Sequence, residues 1–139
     1  MAQNTSPVFV LVPVTATCTI AAANATRDGS GVLVTLFTCG ANGGRVESIV
    51  FTSAQATAAA SSAMVGHVFI SDTAGANPRL IREIAIATAT ASTTVVGATS
   101  TITFSGGLPM KTGQILYVTQ SVYAGVQDQM HVMAAAGDY

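Results

Sequence analysis

The chain has 139 residues, which suits one domain able to hold a core without metal or disulfide staples. Only 8% of its residues are Asp, Glu, Lys or Arg, against about 25% in ordinary soluble domains, and the formal net charge is −1. The five basic residues, Arg27, Arg45, Arg79, Arg82 and Lys111, are scattered and form no phosphate-tracking stripe, which excludes nucleic acid as a partner.

Half of the chain is apolar, yet no membrane partner is expected. A spanning helix needs about 20 apolar residues. The longest aliphatic run here lies near Val8 to Val12, bracketed by Pro7 and Pro13. No Lys or Arg precedes it, so it does not read as a signal peptide, and the chain is expected to stay in the cytoplasm where it is made or to leave by cell lysis. So few charges leave a surface of Ala, Thr and Ser. Such a surface repels its copies weakly and suits burial against neighbours.

In chain order, residues 1–14 read as an N-terminal arm or an edge strand, and 15–139 as a single domain. The proline-bracketed stretch around Val8, Phe9 and Val10 fits either an arm docking on a neighbour or a strand folded onto its own domain. Thr15 to Ala21 alternates as a strand. Asn24 to Gly31 (NATRDGSG) is dense in turn formers. Gly31 to Thr38 is a β-branched strand, and Cys39 to Gly44 (CGANGG) a turn. Arg45 to Ser53 is a strand whose apolar residues fail to alternate cleanly, which predicts a register irregularity. Gln55 to Ala63, all Ala, Ser, Thr and Gln, reads as a loop. Met64 to Ser71 and Arg79 to Ala87 are strands about the turn Asp72 to Pro78. In the second of these, Leu80, Arg82, Ile84 and Ile86 share one face, and Ile81, Glu83 and Ala85 the other. Thr88 to Thr94 is a polar stretch, Val95 to Phe104 a strand, and Ser105 to Gly113 a glycine- and proline-containing connection. Gln114 to Val122 and Gln129 to Ala134 complete about eight strands. No βαβ rhythm appears. The expected fold is all-β, an antiparallel β-sandwich of about eight strands, jelly-roll-like.

No catalytic set emerges. His67 and His131 each sit mid-strand, and the spacings to Asp72 and Asp128 are no more than chance, so both read as core-edge or interface histidines. The six carboxylates, Asp28, Glu47, Asp72, Glu83, Asp128 and Asp138, lie mostly in or beside turns, where Asp bonds backbone amides. There is no phosphate-binding loop, no GxSxG elbow and no Cys/His cluster, so no cofactor and no metal are expected. Cys18 and Cys39 are equidistant from Asp28-Gly29. A simple hairpin about that turn would let them face each other, but two reduced, buried thiols are the expectation for a protein of the cytoplasm. With no Trp and three Tyr, a carbohydrate-binding face is the weaker alternative.

The run NATRDGSGVLVTLFTCGANGGRVESIVF, followed by VFISD, RLIREI, LPMKTGQILYVT and a closing GDY, resembles small virion structural proteins of tailed bacteriophages. The resemblance covers Ala21 to Tyr139. It implies a jelly-roll-like virion subunit of the capsid decoration, or cement, type: a homotrimer, with the major capsid protein as its partner, on the capsid exterior. A tail or fibre location with the same fold is the alternative. The matching positions are Arg27, Asp28, Gly29, the Gly40 to Gly44 turn, Leu108-Pro109 and Gly137-Asp138-Tyr139. Candidate inter-subunit or capsid contacts are Arg27, Asp28, Asp138 and Tyr139 from these positions, and Val8, Phe9 and Val10 from the N-terminal arm.

Overall fold

A computed structural model describes residues 12–55, 59–92 and 94–139. Among them the chain forms eight strands: β1 (Val12–Ile20), β2 (Val34–Thr38), β3 (Gly44–Ser53), β4 (Met64–Ile70), β5 (Arg79–Ile86), β6 (Thr99–Met110), β7 (Ile115–Gln120) and β8 (Met130–Asp138). The strands pair as the two arms of one long hairpin would. β4 pairs with β5, β3 with β6, β2 with β7 and β1 with β8, all antiparallel. Rolling that hairpin brings β8 beside β3 and β7 beside β4. The result is two four-stranded sheets, ordered β1-β8-β3-β6 and β2-β7-β4-β5, stacked as a jelly roll.

Alternation explains how the sheets stack. Side chains on a strand point to opposite faces in turn. In β8, Met130, Val132 and Ala134 are buried while His131, Met133 and Ala135 are exposed. Ile49 and Phe51 stand beside them on the neighbouring strand β3, and Val68 from β4 and Leu116 and Val118 from β7 meet them from across the sandwich, all fully buried. Each such side chain contributes about 1.5–3 kcal/mol relative to exposure.

The irregularity expected in β3 is present. Register slips between Val46 and Ser48 against both neighbours, leaving Glu47 as the extra residue. The slip puts Val46, Ile49 and Phe51 inside despite their uneven spacing. On β6 the same point is larger. Val46 pairs with Leu108 and Ser48 with Thr103, so four residues, Phe104 to Gly107, bulge opposite Glu47. Gly106 and Gly107 take φ of 76° and 75° there, a region only glycine enters freely.

That bulge corrects the reading of Ser105 to Gly113 as a connection. The strand continues through it to Met110, and the turn is confined to Lys111–Gln114. At the other end β6 begins at Thr99, not Val95. The Ser92 hydroxyl accepts the Thr94 and Val95 amides, and this turn leaves Val96 at 88% exposure. β5 also departs from simple alternation, because a shift opposite Val68 and Phe69 lets Ile81 pack against the core. The hairpin about Asp28-Gly29 does not form. β1 and β2 lie in different sheets, and Cys18 and Cys39 are free thiols. Val12 to Val14, counted with the N-terminal stretch, belong to β1. Val8, Phe9 and Val10 lie outside the described residues.

Candidate functional site

The segment between β1 and β2 crosses the outer face of the β2-β7-β4-β5 sheet. The Asn24 amide donates to the Gln120 carbonyl at 2.8 Å, and Gly29 lies against Pro78 so closely that a Cβ would overlap the Pro78 carbonyl oxygen. Asn24 shapes this segment. Its Nδ2 donates to the carbonyls of Ser30 and Val32, both at 2.9 Å, and its Oδ1 accepts from the amide and hydroxyl of Thr26.

Beneath the segment sit His67 and Phe69, outward-pointing yet only 1% and 0% exposed. His67 Nδ1 lies 3.1 Å from Thr119 Oγ1, which donates in turn to the Asn24 carbonyl. Its Nε2 lies 3.3 Å from Glu83 Oε1, and the same oxygen accepts from Arg27 Nε at 2.6 Å. Burial pushes the His67 pKa below the usual histidine range. Glu83 pulls it up and Arg27 down again, and burial prevails. The hydroxyl–imidazole–carboxylate order resembles a catalytic triad. Here, however, the imidazole and Thr119 are both sealed from solvent, so no substrate atom can reach the hydroxyl.

Neither carboxylate near a histidine in sequence is its partner. Asp72 binds Arg79 at 2.7 Å and Asn77 at 3.1 Å. Asp128 is fully buried, while His131 faces solvent on the other sheet. Glu83 was missed because it is a cross-strand neighbour, paired to His67 by the β4–β5 register. Counting back from the Asp72 to Pro78 turn would have found it, had the β5 bulge been foreseen.

Asp128 is a second buried polar centre. Its Oδ1 accepts the Ser62 amide at 2.6 Å, and its Oδ2 accepts the Ala124 amide at 2.7 Å and the Ser62 hydroxyl at 3.1 Å. Burial alone would raise its pKa, but these three donors together outweigh it and hold the carboxyl below its ordinary value. The carboxylate ties the β3–β4 and β7–β8 connections together at one end of the sandwich.

The expected contact residues fall into two separate places. Arg27 is engaged with Glu83. Asp28 accepts the Ser30 amide at 3.0 Å and the Ser30 hydroxyl at 2.7 Å, a local turn. Asp138 and Tyr139 meet the Gly40–Gly44 turn: the Gly40 amide donates to Asp138 Oδ1 at 3.0 Å, and the Tyr139 amide donates to the Gly43 carbonyl at 3.1 Å. Two segments matched separately in the sequence are thus one structural unit. Cys39 lies in it, and burial, followed by the charge of Asp138, pushes its thiol pKa up.

Among the described residues, nothing covers the outer face of the other sheet. Register sets its side chains in rows across four strands: Thr15, Ala135, Ser48 and Thr103; Thr17, Met133, Val50 and Thr101; Thr19, His131, Thr52 and Thr99. No Asp, Glu, Lys or Arg stands in these rows. A shallow hollow of about 480 Å³ lies among Thr17, Thr19, Val50, Thr52, His131 and Met133. Sequence reasoning missed this face, although alternating Thr in TATCT (15–19) and TSTIT (99–103) marks it. Among the described residues no group of His, Cys, Asp and Glu could hold a metal ion, and no helix is long and apolar enough to cross a membrane.

No protein-family model matches the chain, and no curated protein matches it. Among solved structures it is similar to a chain of one titled "Structure of infectious bursal disease virus Gt strain", at 19% identity and a TM-score of 0.30. That similarity covers 98% of this chain and 34% of the other, so the chain spans about a third of that protein's length.

Proposed function

We propose that this chain is a structural, non-enzymatic subunit of a virus particle, of the decoration type that bridges neighbouring major capsid proteins on the shell exterior. The observation that carries this reading is the contrast between the two outer faces of the jelly roll. One is covered by the chain's own β1–β2 segment, with its histidine sealed and Arg27 and Glu83 paired within the molecule. The other carries rows of Thr, Ala, Ser, Val and Met with His131 and no Asp, Glu, Lys or Arg among them, the Arg45–Glu47 ion pair standing at one end, and nothing over it among the described residues. Placing these rows against a protein strips water from hydroxyls, methyls and one imidazole and from no Asp, Glu, Lys or Arg, so desolvation costs little.

The test is co-sedimentation with empty shells assembled from the major capsid protein of the same virus. Stoichiometric retention on the shells, with a higher shell melting temperature, is expected. Chain left in the supernatant, or a few copies per particle, overturns the reading.

A further inference from the structure

Among the described residues the outer edge of β1 is unpaired, and it differs from the other three sheet edges. An edge strand presents unpaired N–H and C=O groups, and natural proteins blunt it with charge, proline, bulges or shortness. β5 carries Arg79, Arg82 and Glu83. β6 is broken by its four-residue bulge and by Pro109. β2 is five residues long and slips register between Thr35 and Phe37. β1 has only Pro13, at its start. From Val14 to Ile20 it has no charge and no proline, and it pairs with β8 in unbroken register. Among the described residues, no backbone hydrogen bond reaches its outer side. The core is also open along the middle of this edge: the inward side chains Ala16 and Cys18 stay half-buried while their β8 neighbours Ala134 and Val132 are fully buried, Val14 and its neighbour Ala136 are both half-buried, and only Ile20 at the strand's end is sealed.

We infer that β1 pairs with β1 of a second copy of this chain, antiparallel about a two-fold axis through Thr17, joining two four-stranded sheets into one of eight. In that register β1 is complementary to itself. On the outer face Thr17 meets the partner's Thr17, and Thr15 meets the partner's Thr19. Thr–Thr neighbours across strands are favourable. On the inner side Val14 meets the partner's Ile20, and Ala16 meets the partner's Cys18, which closes both cores. No like charges are opposed, and a net charge of −1 per chain adds little repulsion. The uncharged outer face becomes continuous across both copies. The inference deepens the assembly reading by stating how two copies meet. It favours a pair over the trimer implied by the phage resemblance.

Sedimentation of the full chain at roughly 100 µM tests it, since a contact with a dissociation constant of about 10 µM is mostly formed there. A dimer is expected. Thr17→Lys sets like charges opposite each other and should return the chain to monomer with an unchanged circular dichroism spectrum. Thr101→Lys, the same change on the β6 edge, should leave the dimer intact. As a second readout, in a Cys18→Ser background, Thr17→Cys should form a disulfide-linked dimer with oxidised glutathione, because directly opposed Cα atoms lie about 4.5–5.5 Å apart. Thr101→Cys should not. A monomer at that concentration, a trimer, or a dimer indifferent to Thr17→Lys overturns the inference. A monomer that still coats shells overturns it without touching the shell reading, and a β1-linked dimer that ignores shells does the reverse.

Discussion

Asp128 shows how much one side chain can hold in a protein with few charges. Its carboxylate answers three donors, so replacing it with Asn turns an acceptor into a donor facing an amide N–H. Asp128→Asn is expected to cost about 2–3 kcal/mol, the range for a hydrogen-bonded charge lost from a buried site, measured by urea denaturation. The depressed carboxyl pKa makes its contribution present above the unfolded value and lost as pH falls through the folded one. His67 acts in a higher window. Because its folded pKa is depressed, the unfolded chain binds the extra proton, so stability falls as pH drops below the ordinary histidine value of about 6.5. The melting temperature is therefore expected to be lower at pH 5 than at pH 8, and His67→Gln should flatten that difference. Cys18 supplies a third check. Burial pushes its thiol up to about 11, so a thiol-specific reagent at pH 8 should label it far more slowly in the native state than in urea.

At the scale of strands, β-branched and aromatic runs bounded by Gly, Asn and Asp placed all eight elements, because those residues decide strand and turn locally. The misplaced boundaries share a cause. SGG reads as a connection because two glycines in a strand usually end it. Here they let β6 bulge past Glu47 and resume at Leu108, a pairing set by β3. VVGA (95–98) has strand propensity, but among the described residues its one backbone bond to a strand is the Ala98 carbonyl accepting the Ser53 amide, and the Ser92 turn claims Val95 instead. Gly66 shows the opposite case, a glycine required by packing inside a regular strand. A Cβ there would lie 2.9 Å from the Phe51 ring. Gly66→Ala is expected to destabilise by about 1–3 kcal/mol, the usual cost of overpacking a filled core, again read by urea denaturation.

At the scale of the whole molecule, the sandwich was legible from strand number and the missing βαβ rhythm. The sites were not. Arg27 and Asp138 are engaged within the chain, by partners 56 and 98 residues away in sequence, and no local pattern encodes such distances. The same non-locality shapes how the molecule is made. Val12 is paired with Asp138, so the first described strand waits for the last to be synthesised. Closing so long a loop is entropically costly, and folds dominated by distant pairings form slowly. Until β8 arrives, β1 is open on both sides, and its uncharged, Thr-rich backbone is free to capture a neighbour before its own partner exists. The order of synthesis thus leaves β1 exposed for nearly the whole length of the chain, the interval in which strand exchange between copies is open to it.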